Sequence, residues 1–122
     1  MNLKILSQSF KNAFRGIAYT WQFEQSFRIE ITIAILVLTG AFYFPLTRSE
    51  KLITILFITL VLILELINSV LERLVDLVSP KFAEPVKTVK DMMAGAVLLV
   101  SLASLLVGVI IFFTHFKNLF GF

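Results

Sequence analysis

Residues 52–76 read LITILFITLVLILELINSVLERLVD, and this stretch decides the fold. Up to Leu64 it is hydrocarbon broken only by Thr54 and Thr59; beyond that point Glu65, Asn68, Glu72 and Asp76 follow at spacings of three, four and four. At about 100° per residue the four side chains fall within about 80° on one helix face. The polar residues are therefore one stripe along a single helix. The roughly 20 residues from 52 to 71 span about 30 Å as a helix, the thickness of the hydrocarbon core of a bilayer. Glu65 then lies about one and a half turns inside the end of the span, Glu72 at its boundary and Asp76 in water. Such groups are costly to take out of water, and inside a span they point to function by default. The competing explanation is that they glue helices together or pair with Arg73.

Composition supports the membrane reading. The 122 residues are 58% hydrophobic and 16% charged, and the mean hydropathy is +0.93, outside the range of soluble domains. The chain has no cysteine, which excludes a disulfide framework, a thiolate metal site and a thiol nucleophile. A net charge of +3 suits an anionic membrane surface or phosphates. The basic residues are spread beside apolar spans, unlike the clustered patch of a nucleic-acid binder, so no nucleic-acid partner is expected.

Upstream, residues 29–44 form a second apolar run, interrupted by Glu30 and Thr32 and slightly short for a crossing unless the helix continues back through a snorkelling Arg28. Pro45 ends it. Thr47-Arg48-Ser49-Glu50 has the spacing of a capping box, which predicts a tight reversal and a new helix beginning near Lys51. At the N-terminus, Leu3, Leu6, Phe10, Ala13, Phe14, Ile17 and Trp21 recur at steps of three and four, with Lys4, Lys11, Asn12 and Arg15 between them. This predicts a basic amphipathic helix in the headgroup plane, with room for a bend at Gly16. It lacks the apolar core and cleavage site of a signal peptide and is expected to be retained.

Downstream, Ser79-Pro80 and Pro85 predict a broken, polar connection before a third apolar span that is rich in small residues, with Ser104 and Gly108 spaced for close helix contact. The expected organisation is a surface helix over 1–27, span 1 over 28–45, span 2 with a cytoplasmic extension over 51–78, and span 3 over 90–117. Lys and Arg concentrate in the N-terminal segment and in the connection after span 2, so the N-terminus is expected in the cytoplasm and the C-terminus outside, in an inner or plasma membrane. His115, at the far end of span 3, is read as an interfacial residue.

The acidic stripe also has company at its cytoplasmic end. Glu24 lies at the same interface, and Lys90-Asp91 at the predicted start of span 3 adds a cation and a further carboxylate. Mg²⁺ usually takes one or two carboxylates with phosphates and waters. Carboxylates, a metal and a lysine at headgroup depth suit phosphoryl transfer to a hydroxyl that is itself in the membrane, a lipid alcohol. Neither a P-loop nor the protein-kinase motifs occur. A non-enzymatic proton-relay or scaffold subunit, with Glu65 as a buried proton carrier, is the competing class. Lys90-Asp91 and Glu24 speak against it, because a proton path does not require them.

The stretch ELINSVLERLVD, followed by VKDMMAGAVLL and preceded by WQFEQSFRIE, resembles the prokaryotic diacylglycerol kinase family, which includes the undecaprenol kinases. The resemblance runs from about Ser9 to the middle of span 3, and its specific part is E-x-x-N-x-x-x-E-x-x-x-D followed by K-D. It implies an all-α integral membrane protein, a homotrimeric helical bundle of three-span protomers with an amphipathic surface helix and sites shared between protomers. It implies ATP-dependent phosphorylation of a lipid hydroxyl with Mg²⁺. Carried onto this chain, it makes Glu65 the general base, Glu24 and Glu72 the metal ligands, and Asn68, Asp76, Lys90, Asp91 and Asn12 the nucleotide contacts. Trp21, Arg28 and Glu30 would lie near the lipid headgroup. Lys81-Phe82-Ala83 stands where the family commonly has Glu-Tyr-His against the nucleotide, a departure that bears on nucleotide preference. Diacylglycerol leads as the acceptor and undecaprenol follows: WQFEQSFRIE and the C-terminal THF lean to the first, and SFKNAFRGI to the second.

Overall fold

The computed structural model describes residues 1–78 and 83–121. Among them the chain is entirely helical: α1 (Leu3–Phe23), α2 (Gln25–Tyr43), α3 (Arg48–Val78) and α4 (Glu84–Phe120). The last three are long and apolar enough to cross a membrane. α3 packs most extensively against α4 and next against α2, while α1 lies against α2.

α1 starts where Asn2 accepts hydrogen bonds from the backbone N–H groups of Lys4 and Ile5 (3.0 and 3.4 Å), an N-cap that satisfies two orphan donors. The helix continues through Gly16. The break comes at Glu24, a single extended residue (φ −115°, ψ 108°) that ends α1 and opens α2. No glycine or proline marks it. What allows the break is Arg28, whose guanidinium donates to the carbonyls of Trp21 and Gln22 (2.7 and 2.9 Å), so the last turn of α1 is satisfied without continuing the helix.

The α2–α3 reversal follows its sequence signals. Glu50 N–H donates to Thr47 Oγ1 (3.1 Å) and Thr47 N–H to Glu50 Oε1 (2.9 Å), the reciprocal capping box; it starts α3 at Arg48, a turn earlier than Lys51. The third span also begins early, at Glu84, because Pro85 occupies the first turn of α4. There its missing N–H has no partner to lose and its fixed φ suits the helix. The helix that carries the third apolar run therefore extends over 84–120, beyond the expected 90–117 at both ends, and Lys90 and Asp91 sit one to two turns inside it. The far end is closed by Gly121 in the left-handed region (φ 72°), where a side chain would be strained.

Little is buried among the described residues. Ala41, Leu46 and Ile111 form the small apolar core at the far end, flanked by Phe44, Val107 and Phe112. Leu36, Leu99 and Phe113 are mostly exposed, whereas Thr54, Glu65 and Ser69 are buried. Apolar groups outward with polar groups inward is the arrangement a hydrocarbon solvent favours. The close approach is at Gly40: a Cβ there would meet Phe112 Cε1 at 3.1 Å, and the ring cannot swing freely because it sits edge-on to Phe44. Gly108, expected to mediate close contact, faces open space. Gly40→Leu is expected to destabilise the α2–α4 packing by about 1–3 kcal/mol through overpacking; unfolding in mixed micelles would measure it, whereas Gly108→Leu in the isolated protomer should be better tolerated.

His115, read as merely interfacial, has a specific partner. Its Nε2 lies 3.0 Å from Glu50 Oε1, so the capping-box carboxylate also fastens the end of α4 to the start of α3.

Candidate active site

The stripe of α3 is turned inward at the opposite end. Glu65 is 4% exposed and its neighbour Ser69, also buried, donates to the Glu65 carbonyl (3.1 Å). One helical turn on, Asn68 Nδ2 donates to Glu72 Oε1 (3.4 Å). Asn68 Oδ1 is buried with no hydrogen-bond partner, an unmet acceptor in an environment where that is costly. A further turn on, Asp76 accepts from Lys90 Nζ of α4 at 2.7 Å, so two of the residues read from sequence are brought together across helices. Asp91, next to Lys90, is exposed.

Other carboxylates approach the stripe from α1 and α2. Glu24, on the α1–α2 hinge, and Glu72 both lie within electrostatic reach of Glu65, as does Glu30 of α2. Glu30 Oε2 is a second buried oxygen without a partner. Glu30 also lines a cavity of about 560 Å³ that runs between α2, α3 and α4, walled by Ile33, Val37, Phe57, Val61, Leu105 and Phe112 among others. Val61 and Leu62, in that wall, stand one turn from Glu65. Glu30 thus opens onto an apolar cavity whose wall comes within one helical turn of Glu65, a place where a hydroxyl and a hydrocarbon tail can be held at once.

Not every residue named from sequence joins this cluster. The hydrogen bond of Asn12 is local, accepted from Gln8 on the exposed side of α1 (3.1 Å). The Trp21 side chain is half-exposed, and it is its backbone carbonyl that engages Arg28. Lys81 and Phe82 of the altered connection lie outside the described residues. Arg73 does not pair with the stripe it interrupts: its Nη2 is 3.2 Å from Glu24 Oε1 and its guanidinium lies 4.7 Å from the Tyr19 ring. Helical spacing accounts for this, since a residue adjacent to Glu72 is rotated about 100° away from the stripe.

Among the described residues, no group of three or more His, Cys, Asp or Glu side chains could hold a metal unaided. Glu24 and Glu72, each within electrostatic reach of Glu65, and the unmet Asn68 oxygen are hard-oxygen donors of the type Mg²⁺ takes beside waters and substrate phosphates.

Three apolar spans with an acidic cluster at one end define a polytopic helical membrane protein with a site at the membrane boundary. The family model for prokaryotic diacylglycerol kinase matches residues 11–112, and the chain belongs to that family. It is 39% identical over 101 residues to a diacylglycerol kinase of Synechocystis sp., covering 82% of this chain and 58% of that protein, so it spans little more than half the relative's length. It is 36% identical over 105 residues to an undecaprenol kinase of Bacillus subtilis, covering 86% and 85% of the two chains. Against a diacylglycerol kinase of Escherichia coli it is 27% identical over 104 residues, covering 85% of each.

Proposed function

We propose that this protein is an ATP-dependent lipid kinase that phosphorylates the hydroxyl of a membrane lipid alcohol, with diacylglycerol, giving phosphatidic acid, as the leading acceptor. The observation that carries the proposal is the buried Glu65, one helical turn from the wall of an apolar cavity that Glu30 lines, with the Glu72, Asn68 and Asp76–Lys90 groups following along α3. In the reaction Glu65 takes the proton of the lipid hydroxyl while its oxygen forms a bond to the γ-phosphorus; the bond from that phosphorus to the β–γ bridging oxygen breaks and ADP leaves. Asn68, Asp76, Lys90 and Asp91 bind the nucleotide, with Asn12 as an outer contact. Glu24 and Glu72 hold Mg²⁺, which when bound neutralises charge on the phosphates. Trp21, Arg28 and Glu30 face the lipid headgroup.

Undecaprenol is the second acceptor, favoured by the Bacillus subtilis relative of that name. α1 lies in the headgroup plane with the N-terminus cytoplasmic and the C-terminus outside, as the Lys and Arg distribution requires. Three protomers assemble and share sites, because three spans with so little interior hardly enclose one alone. Transfer of labelled γ-phosphate from ATP to diacylglycerol and undecaprenol, offered in parallel in mixed micelles, tests the reading. Mg²⁺-dependent labelling of at least one is expected, diacylglycerol the faster; labelling of neither, nor of related alcohols, would overturn the kinase assignment.

A further inference from the structure

Glu24 poses a positional problem. It stands alone in extended backbone between two helices, makes no side-chain cap bond to α2, and lies within electrostatic reach of Glu65, which Glu72 also reaches. Like charges would drive a free carboxylate at such a hinge outward into water. Its recorded ion-pair partner is Arg73, through one oxygen only, Oε1. The guanidinium carbon in turn lies 4.7 Å from the centroid of the Tyr19 ring, which packs at a tilt against Phe23 with ring centroids 4.6 Å apart. The arginine therefore binds both the end of α1 and the hinge to the helix that carries Glu65 and Glu72.

We infer that Arg73 is a positioning residue for the metal site: it holds Glu24 in among the other carboxylates so that the remaining oxygen is available to the divalent cation. The inference rests on the reading of Glu24 as a metal ligand. Two effects of the guanidinium oppose each other, repulsion of an arriving cation and orientation of its ligand. The Arg73 side chain is 45% exposed, so its repulsion is strongly screened. Loss of the partner that orients a metal ligand, by contrast, lowers metal affinity by about 10–100-fold. Orientation wins.

The test measures Mn²⁺ binding to the full chain by electron paramagnetic resonance, with a non-hydrolysable ATP analogue and no lipid acceptor, in the wild type and in Arg73→Gln, Arg73→Lys and Glu24→Gln. Arg73→Gln is expected to weaken Mn²⁺ binding by about tenfold. In turnover assays it should raise the Mg²⁺ concentration for half-maximal rate by a similar factor, with kcat at saturating Mg²⁺ changed by less than about threefold. Arg73→Lys keeps the charge but not the planar fork over Tyr19, and should recover part of the loss; it decides the matter if the glutamine variant does not fold. Wild-type or tighter Mn²⁺ binding by the Arg73 variants, with Glu24→Gln impaired, would overturn the positioning role alone. Unchanged binding by Glu24→Gln would remove Glu24 from the metal site, and the inference with it.

Discussion

Glu65→Gln is expected to lower kcat by about a thousandfold, the middle of the range that a positioned general base contributes, while the affinity for a non-hydrolysable ATP analogue stays within about threefold. The substitution is nearly isosteric in a buried place, so packing around Ser69 is preserved and the change falls on proton transfer. The proposed nucleotide groups Asn68, Asp76 and Lys90 are one to three turns or a helix away and keep their contacts. Single-turnover transfer and analogue binding, measured on the same preparation, separate the two quantities. Near-normal turnover would show that the proton goes elsewhere, and Glu30, the carboxylate with a buried unpartnered oxygen at the cavity wall, would be the next base to examine.

Glu72→Gln is expected to act in the opposite way. It removes the charge of a proposed metal ligand and leaves Glu65 in place, so the requirement for Mg²⁺ should rise by about a hundredfold, at the upper end of what losing a ligand's mere supporting partner costs. The rate at saturating metal should be much less affected. The amide retains a hydrogen-bonding partner for Asn68, so the local helix is undisturbed. A Mg²⁺ titration of initial rates checks this; a large fall in kcat with an unaltered Mg²⁺ requirement would count against Glu72 as a ligand.

Much of this arrangement was legible in the sequence for definite physical reasons. Period-3.6 spacing put Glu65, Asn68, Glu72 and Asp76 on one face of α3, and the structure buries Glu65. The capping box at Thr47 and Glu50 formed as written. Local rules failed where tertiary partners intervened. Pro85 was read as a breaker when it stands in a first turn, the one helical place that tolerates it. The hinge at Glu24 carries no glycine or proline, because its enabling group, Arg28, lies in the following helix. The partners of Arg73 and His115 lie 49 and 65 residues away in the chain, a separation no local pattern encodes. Residues 81 and 82 are outside the described structure, so the altered connection has no counterpart to compare.

The Glu50–His115 and Asp76–Lys90 pairs bind the same two antiparallel helices at opposite ends. At about 1.5 Å per residue, the separation between the pairs is about 39 Å along α3 and about 38 Å along α4. Two rungs so far apart and so evenly matched act as a gauge. A slip of one helix past the other by a single turn, about 5.4 Å, cannot keep either rung, and a residue inserted in one helix alone leaves at least one unmade. The lysine proposed to meet the nucleotide is thereby set in height by a histidine at the far end of the bundle, and the apolar length between them becomes part of the measuring device.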